Sequence, residues 1–377
     1  MQYPNRRARD AFDDRFTLGC AQVATIRLDG KSAGVQESHH WIMRIISTVA
    51  LTATQERIIA DAAGGAELAH RTCRANEDFE QLLATGADVL LTFRVPDDVI
   101  ERTPGLKWIQ LLSAGADHTP QKLIASGTVP LTTASGIHAT PIAEYTIASM
   151  LAFAHKLHVS IRAQMRREWL RSGQFMASVD EVRGKTLGVI GYGSIGRETA
   201  RIADALGMRV LALKRDSDAH ADPGWCPAGV GDPDGRIPAK WYGPGERDAV
   251  MRESDYLTVT LPSTPLTRHF IGPNEIAAMR PGAYIVNIGR GDVIDEPALI
   301  AALSEKKIGG AGLDVFEKEP LARESPLWEL ESAILTPHMS GASRSYVDKA
   351  CELFADNLRR FRAGRPLLNQ VDPQHGY

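Results

Sequence analysis

The stretch Lys185-Thr186-Leu187-Gly188-Val189-Ile190-Gly191-Tyr192-Gly193-Ser194-Ile195-Gly196 decides how the rest of the chain is read. Residues 185–190 are a short, mostly apolar run between Gly184 and Gly191, the pattern of a strand buried on both faces. Beyond the turn, Ile195, Thr199, Ile202 and Leu206 recur at helical spacing until Gly207 stops them, and residues 208–213 are a second apolar run. Strand, turn, helix and strand together have the size that a right-handed βαβ crossover requires. Each glycine has a physical task in such a turn. Gly191 permits the bend, Gly193 lets a pyrophosphate approach the backbone, and Gly196 lets the helix pack against the strand, with the helix N-terminus aimed at the phosphates. Gly191, Gly193, Ser194, Ile195 and Gly196 are therefore candidate dinucleotide-binding residues.

Working outward, alternating strand-like and helical runs lie on both sides. Upstream, residues 43–49 read as a strand and 54–63 as a helix with Thr54 as its cap and Gly64-Gly65 as its stop. A helix at 76–84, strands at 89–93 and 108–112, and a helical stretch at 96–102 follow, so this part is a smaller α/β unit of its own. Residues 137–170 read as one long helical region bridging two domains. Downstream, helices are expected at 247–253, 276–279, 297–305 and 343–363, and strands at 256–261, 283–288 and 310–315. Residues 216–245 are rich in Asp, Pro and Gly with little apolar pattern, the mark of an insertion with a local job or, on the plainer reading adopted for it, a floppy surface excursion. Residues 1–40 lack a sustained period and read as an N-terminal extension, with Met43 as an alternative start.

The 377 residues suffice for two domains with their own cores. A net charge of −3 with 24% charged residues builds no field for nucleic acid or an anionic membrane, so neither is expected as a partner. No apolar segment reaches the length of a membrane span, and the N-terminus mixes Arg6, Arg7 and Arg9 with Asp10, Asp13 and Asp14, unlike a secretory signal. Cys20, Cys73, Cys226 and Cys351 are scattered without CxxC spacing. No metal site or disulfide framework is expected, and a cytoplasmic location is the default.

Three polar residues stand just past strand-like runs: Arg290, Glu319 and His338. In an open parallel sheet the strand C-termini line the ligand crevice, so these groups converge on whatever the glycine turn holds. Ser113-Ala114-Gly115-Ala116-Asp117, the GYGSIG turn, residues 261–267, 287–299 and 310–320, and Thr336-Pro337-His338 occur in that order. From about residue 43 to the C-terminus the chain resembles the D-isomer-specific 2-hydroxyacid dehydrogenase family.

The resemblance implies an α/β fold of two Rossmann/flavodoxin-like domains with parallel sheets. A discontinuous substrate domain would take 41–137 and 337–377, and a dinucleotide-binding domain 138–336. It implies hydride transfer between a nicotinamide cofactor and a small D-2-hydroxy acid or 2-oxo acid such as glyoxylate or hydroxypyruvate, in a homodimer. Arg290 would hold the substrate carboxylate and polarise the carbonyl, as a permanently charged planar fork can. His338 would exchange a proton with the carbonyl oxygen, and Glu319 would orient His338 and favour its charged form. Backbone N–H groups at Ala114 and Gly115 would receive the carboxylate. Asp314 would bond the nicotinamide carboxamide, and Leu261, Pro262, Thr267, Ile288, Gly289 and Gly341 would line the cofactor.

Which nicotinamide is bound turns on the end of the second strand, where an acid selects NAD and cations select NADP. Lys214 and Arg215 fall there and favour NADP, while Asp216 and Asp218 keep NAD open, since a register shift of one or two residues would put an acid in place. Two alternatives share the pattern: a phosphite-type dehydrogenase and an NAD(H)-sensing corepressor-like binding protein. The formate branch is disfavoured, because it pairs its histidine with Gln where this chain has Glu319.

Overall fold

The computed structural model describes residues 24–27, 42–73, 75–116, 118–222 and 224–373. They divide into two compact units, one of residues up to Ala134 together with those from Val347 on, the other Ser135–Tyr346. The first unit runs through β1 (Ala24–Arg27), β2 (Arg44–Ser47), α1 (Ala53–Ala63), β3 (Glu67–His70) and α2 (Asn76–Leu83). It continues with β4 (Val89–Thr92), α3 (Val99–Arg102), β5 (Trp108–Leu111), α4 (Gln121–Ser126) and β6 (Leu131–Thr132). The sheet order is β1-β3-β2-β4-β5-β6, parallel from β3 to β6, with β1 antiparallel at the edge.

Two readings change here. The stretch 1–40 contains a strand, β1, which pairs through backbone with Glu67–His70. Four residues are too few to display a period, and edge pairing uses only main-chain groups. The other residues of 1–40 lie outside the described residues. Helix α1 is capped by Thr52 rather than Thr54: its Oγ1 accepts from Gln55 N (3.4 Å) and Gln55 Oε1 accepts from Thr52 N (2.9 Å), a reciprocal capping box.

The second unit runs through α5 (Ala139–Ala154), α6 (Leu157–Arg166), α7 (Gly173–Ala177), β7 (Thr186–Ile190), α8 (Ser194–Ala205), β8 (Arg209–Leu213) and β9 (Lys240–Tyr242). Then come α9 (Arg247–Glu253), β10 (Tyr256–Val259), α10 (Pro273–Ala278), β11 (Tyr284–Asn287), α11 (Glu296–Ser304), β12 (Gly310–Leu313) and β13 (Ala333–Leu335). Its sheet is parallel throughout in the order β13-β12-β11-β10-β7-β8-β9. Strand order therefore reverses between β7 and β10, the place where such sheets open a ligand crevice.

The long helix expected at 137–170 is broken in two. Lys156 adopts a left-handed φ of 55° and ends α5, with its ammonium 4.2 Å above the Phe153 ring. No Gly or Pro marks the break, which is why the sequence pattern runs through it. Helix α5 belongs to the second unit, where its Ile142, Ile147, Met150 and Phe153 join Leu187, Val189, Tyr284 and Val286 of that unit's sheet in one apolar cluster. Residues 337–346, grouped by the sequence reading with the C-terminal helix, also belong to this unit, so it carries His338. The last helix, α12 (Tyr346–Arg362), returns to complete the first unit, packing the rings of Phe354 and Phe361 at a tilt against Trp108, with centroids 5.1 and 5.6 Å away.

Candidate active site

At the switch point the two middle strands are fastened together. Thr260, just past β10, donates its N–H to Ile190 O (2.9 Å) and its hydroxyl to Gly191 O (2.5 Å). Gly191 has φ 100°, and a Cβ there would come within 2.7 Å of Thr260 Oγ1. A Cβ on Gly196 would collide with Gly191 O and with Val189. On Gly193 it would meet nothing within 4 Å. The outer glycines thus serve packing, while the middle one leaves open space before the first turn of α8, where Ser194 and Ile195 sit. That cradle suits a dinucleotide pyrophosphate.

The loops beyond β10, β11, β12 and β13 surround it. After β10, Thr267 Oγ1 donates to Pro262 O (2.6 Å) and accepts from Thr264 N (2.8 Å), closing the Leu261-Pro262 loop. After β11, the buried Asn287 accepts from Gly289 N (3.1 Å) and donates to Arg290 O (3.0 Å), so its amide shapes the loop that presents Arg290. A side chain at Gly291 would collide with the backbone of Phe316, which brings this loop against the one after β12. Arg290 is exposed, and its Nη1 donates to Gly289 O (2.8 Å).

Asp314, fully buried, organises the next loop. Its carboxylate accepts from Thr336 Oγ1 (2.6 Å), Met339 N (2.9 Å) and Ser340 N (2.8 Å), and its carbonyl accepts from His338 N (2.9 Å). Three donors compensate the buried carboxylate, which forms no ion pair among the described residues. Tyr145 extends the network by donating to Thr336 Oγ1 (2.7 Å). Thus held, His338 takes a left-handed φ of 51°. Such a strained value in a residue other than glycine persists only when its surroundings fix it. Its Nδ1 donates to Glu319 Oε2 (2.8 Å), while Glu319 Oε1 accepts from Phe316 N (3.1 Å). The carboxylate therefore sets the ring's tautomer and orientation and leaves Nε2 for chemistry. Gly341 lies beyond, its carbonyl accepting from His138 Nδ1 (3.3 Å).

The second unit thus gathers Arg290, Asp314, Glu319, His338 and the glycine turn at the C-terminal ends of its strands. Ala114 and Gly115 lie on the loop after β5 in the first unit, where Ser113 Oγ donates to Gly115 O (2.8 Å). Asp117 of that motif lies outside the described residues. Lys214 and Arg215, read alike from sequence, differ: the Lys214 ammonium donates to Ala219 O (2.6 Å), whereas Arg215 is exposed. Asp216 Oδ1 accepts from Asp218 N (3.1 Å), a local turn. The excursion at 216–245 is a correction. It contains β9, and it is held by buried charged side chains of α8 instead of trailing over the surface. Sequence reasoning gave no role to Asn287, Thr336 or Tyr145; the first two stand inside the motifs that carry the resemblance, and Asn287 also as a polar residue ending an apolar strand.

A family model described as "D-isomer specific 2-hydroxyacid dehydrogenase, NAD binding domain" matches residues 147–340. The chain belongs to this family. The dehydrogenase is 33% identical over 288 residues to a glyoxylate reductase of Aeropyrum pernix, covering 75% of this chain and 81% of that one. It is 31% identical over 292 residues to an (S)-sulfolactate dehydrogenase of Chromohalobacter salexigens, covering 75% and 88%. A solved D-isomer specific 2-hydroxyacid dehydrogenase of Xanthobacter autotrophicus, in complex with NADPH and MES, superposes with a TM-score of 0.68 at 27% identity, covering 89% of this chain and 99% of that one. The chain is accordingly an NAD(P)-dependent D-2-hydroxyacid dehydrogenase. Among the described residues, no helix is long and apolar enough to cross a membrane.

Proposed function

We propose that the dehydrogenase reduces small 2-oxo acids of the glyoxylate and hydroxypyruvate kind to D-2-hydroxy acids, preferring NADPH, as a cytoplasmic homodimer. The observation that carries the chemistry is His338 Nδ1, beyond β13, held 2.8 Å from Glu319, with Arg290 at the end of β11, two strands along the same sheet. When bound, the nicotinamide supplies or takes the hydride. His338 Nε2 gives a proton to the carbonyl oxygen in reduction and takes it back in oxidation. Glu319 keeps the ring aimed. Arg290 takes the substrate carboxylate and polarises the carbonyl. Of the four lone-pair positions of the Asp314 carboxylate, three are taken by donors at and beyond the end of β13, so one remains for the carboxamide. Two adjacent cations after β8, and NADPH in the Xanthobacter relative, support the cofactor preference.

Initial rates for a panel of small 2-oxo acids with NADPH and NADH test this reading. Turnover of glyoxylate or hydroxypyruvate with NADPH ahead of NADH is expected, and an NADH preference would overturn the cofactor assignment. His338→Ala should lower kcat by about 10²–10⁴-fold while NADPH binding, followed by fluorescence, persists. Unchanged kcat would remove His338 from the chemistry.

A further inference from the structure

Of the six non-glycine residues with a left-handed φ among the described residues, two lie on loops beyond the C-terminal ends of the second unit's strands, and both are histidines. One is His338. The other is His269, with φ 48°, on the loop after β10. Each bonds through its ring to a glutamate of the same short loop after β12. His338 Nδ1 donates to Glu319 Oε2 (2.8 Å), and His269 Nε2 donates to Glu317 Oε1 (2.9 Å).

The second pair is tied into three crevice loops at once. Along the backbone, His269 N donates to Asp292 O (2.7 Å) and Ile271 N to Val293 O (3.0 Å), which fastens the β10 loop to the β11 loop two and three residues after Arg290. Ser263 Oγ adds a bond to Asp292 Oδ2 (2.7 Å). Side chains then reach the β12 loop. Glu317 Oε1 also accepts from Glu296 N (3.3 Å), and Glu296 Oε2 accepts from Glu317 N (3.1 Å), a reciprocal exchange at the start of α11. Asp295 Oδ2 lies 4.0 Å from His269 Nδ1. Two residues beyond Glu317, Glu319 has one oxygen on Phe316 N (3.1 Å) and the other on His338. Fixing Glu317 therefore fixes the segment that carries Glu319.

Stability does not account for this pair. The side chains of His269 and Glu317 are 39% and 32% exposed, and exposed ion pairs contribute little to folding. A left-handed backbone in a residue other than glycine is itself unfavourable, and it persists where the surroundings over-determine it. What the pair supplies is geometry. The loop after β12 is gripped on one side by the β10 loop and on the other by the β13 loop, and its position decides the aim of the His338 ring.

We propose that His269 is a positioning residue for the proton transfer: through Glu317 it holds the loop from which Glu319 aims His338. The inference rests on the roles given above to Glu319 and His338, and adds a second histidine that acts through its neighbours.

Single-turnover reduction of glyoxylate, or of whichever 2-oxo acid of the panel turns over faster, reads this alignment apart from product release. His269→Asn tolerates a left-handed φ but is too short to reach Glu317, whereas His269→Gln keeps an N–H donor near the Nε2 position. The Asn variant should be slowed about tenfold, with both KM values within about threefold and the urea midpoint unchanged, because misaimed catalytic groups lose rate steeply. Restoring the donor in His269→Gln should bring the rate back to within about threefold of wild type. Glu317→Ala should be slowed at least as much as His269→Asn, and the combined variant no more than Glu317→Ala alone, since both changes remove one bond. An unslowed Asn variant, a Gln variant as slow as Asn, losses that add in the combined variant, or a loss that appears in KM or in the urea midpoint overturns the inference. If His338→Ala turns over normally, the reading of His338 as proton donor falls and the inference with it. If His338→Ala is slow while His269→Asn is not, the inference alone falls.

Discussion

Asp314 shows how a single side chain can govern a catalytic loop it does not belong to. Its carboxylate collects Thr336 Oγ1, Met339 N and Ser340 N, donors that flank His338 on both sides. Asp314→Asn would turn an amide donor toward at least one of these donors. The loss should be about 1–3 kcal/mol of stability, the cost of an unmatched buried polar group, measured by urea unfolding. Displacing His338 from its left-handed conformation should also lower kcat by about tenfold or more, because misplaced proton donors lose catalysis steeply. A variant that is destabilised but keeps wild-type kcat would separate Asp314 from the placement of His338. At this scale Arg290, Glu319 and His338 were legible because each follows an apolar run in a recognisable order. Tyr145 was not: it acts through Thr336, 191 residues away in the chain, and nothing local distinguishes it from a residue on an apolar helical stripe.

Among the elements, the regular ones were legible and the excursion was not. Strands β4, β5, β7, β8 and β11 sit within a residue or two of their apolar runs, and α11 starts at Glu296, one residue before its expected proline, with Asp295 Oδ1 accepting from Ala298 N (2.9 Å) as its cap. The excursion has no apolar period because buried polar contacts hold it. Periodicity sends Arg197 and Glu198 of α8 to solvent, whereas the fold buries them against a partner that the pattern could not locate. Cys226 offers a native probe of this clasp. Its thiol donates to Val230 O (3.1 Å), and burial first, then the Glu198 and Asp222 carboxylates, pushes it up to about 11. Only the thiolate reacts, so near pH 8 alkylation should be about a hundredfold slower than for a free thiol and should climb as pH rises toward 11. Peptide mapping after iodoacetamide treatment reads the rate. Arg197→Met, by loosening the excursion, should accelerate it; alkylation of the native chain at the rate of a free thiol would mean that the clasp is open.

At the scale of the whole molecule, alternating runs announced two α/β units but could not give their strand orders, since pairing is decided by which edges meet in space. Nor could they show that the first unit depends on its last helix. That helix is tied in by more than apolar contact: Gln55 Nε2 donates to Asp348 Oδ1 (2.7 Å), Arg362 Nη1 to Ala62 O (3.0 Å), and Asn357 Nδ2 to Gln110 Oε1 (3.1 Å). At its centre Phe354, fully buried, lies 5.1 Å from the ring of Trp108 on β5. Phe354→Ala should therefore cost about 3–5 kcal/mol, the usual penalty for emptying an aromatic site in a core. Because each unit has its own sheet and its own apolar cluster, that loss should remain local. Hydrogen exchange followed by mass spectrometry should show faster exchange in β2, β4 and β5 with β7, β10 and β11 unchanged, and calorimetry should resolve a lowered first transition beside an unshifted second. Equal loss of protection in both sheets would show instead that the two units unfold as one cooperative body, and that α12 supports the nucleotide unit as much as its own.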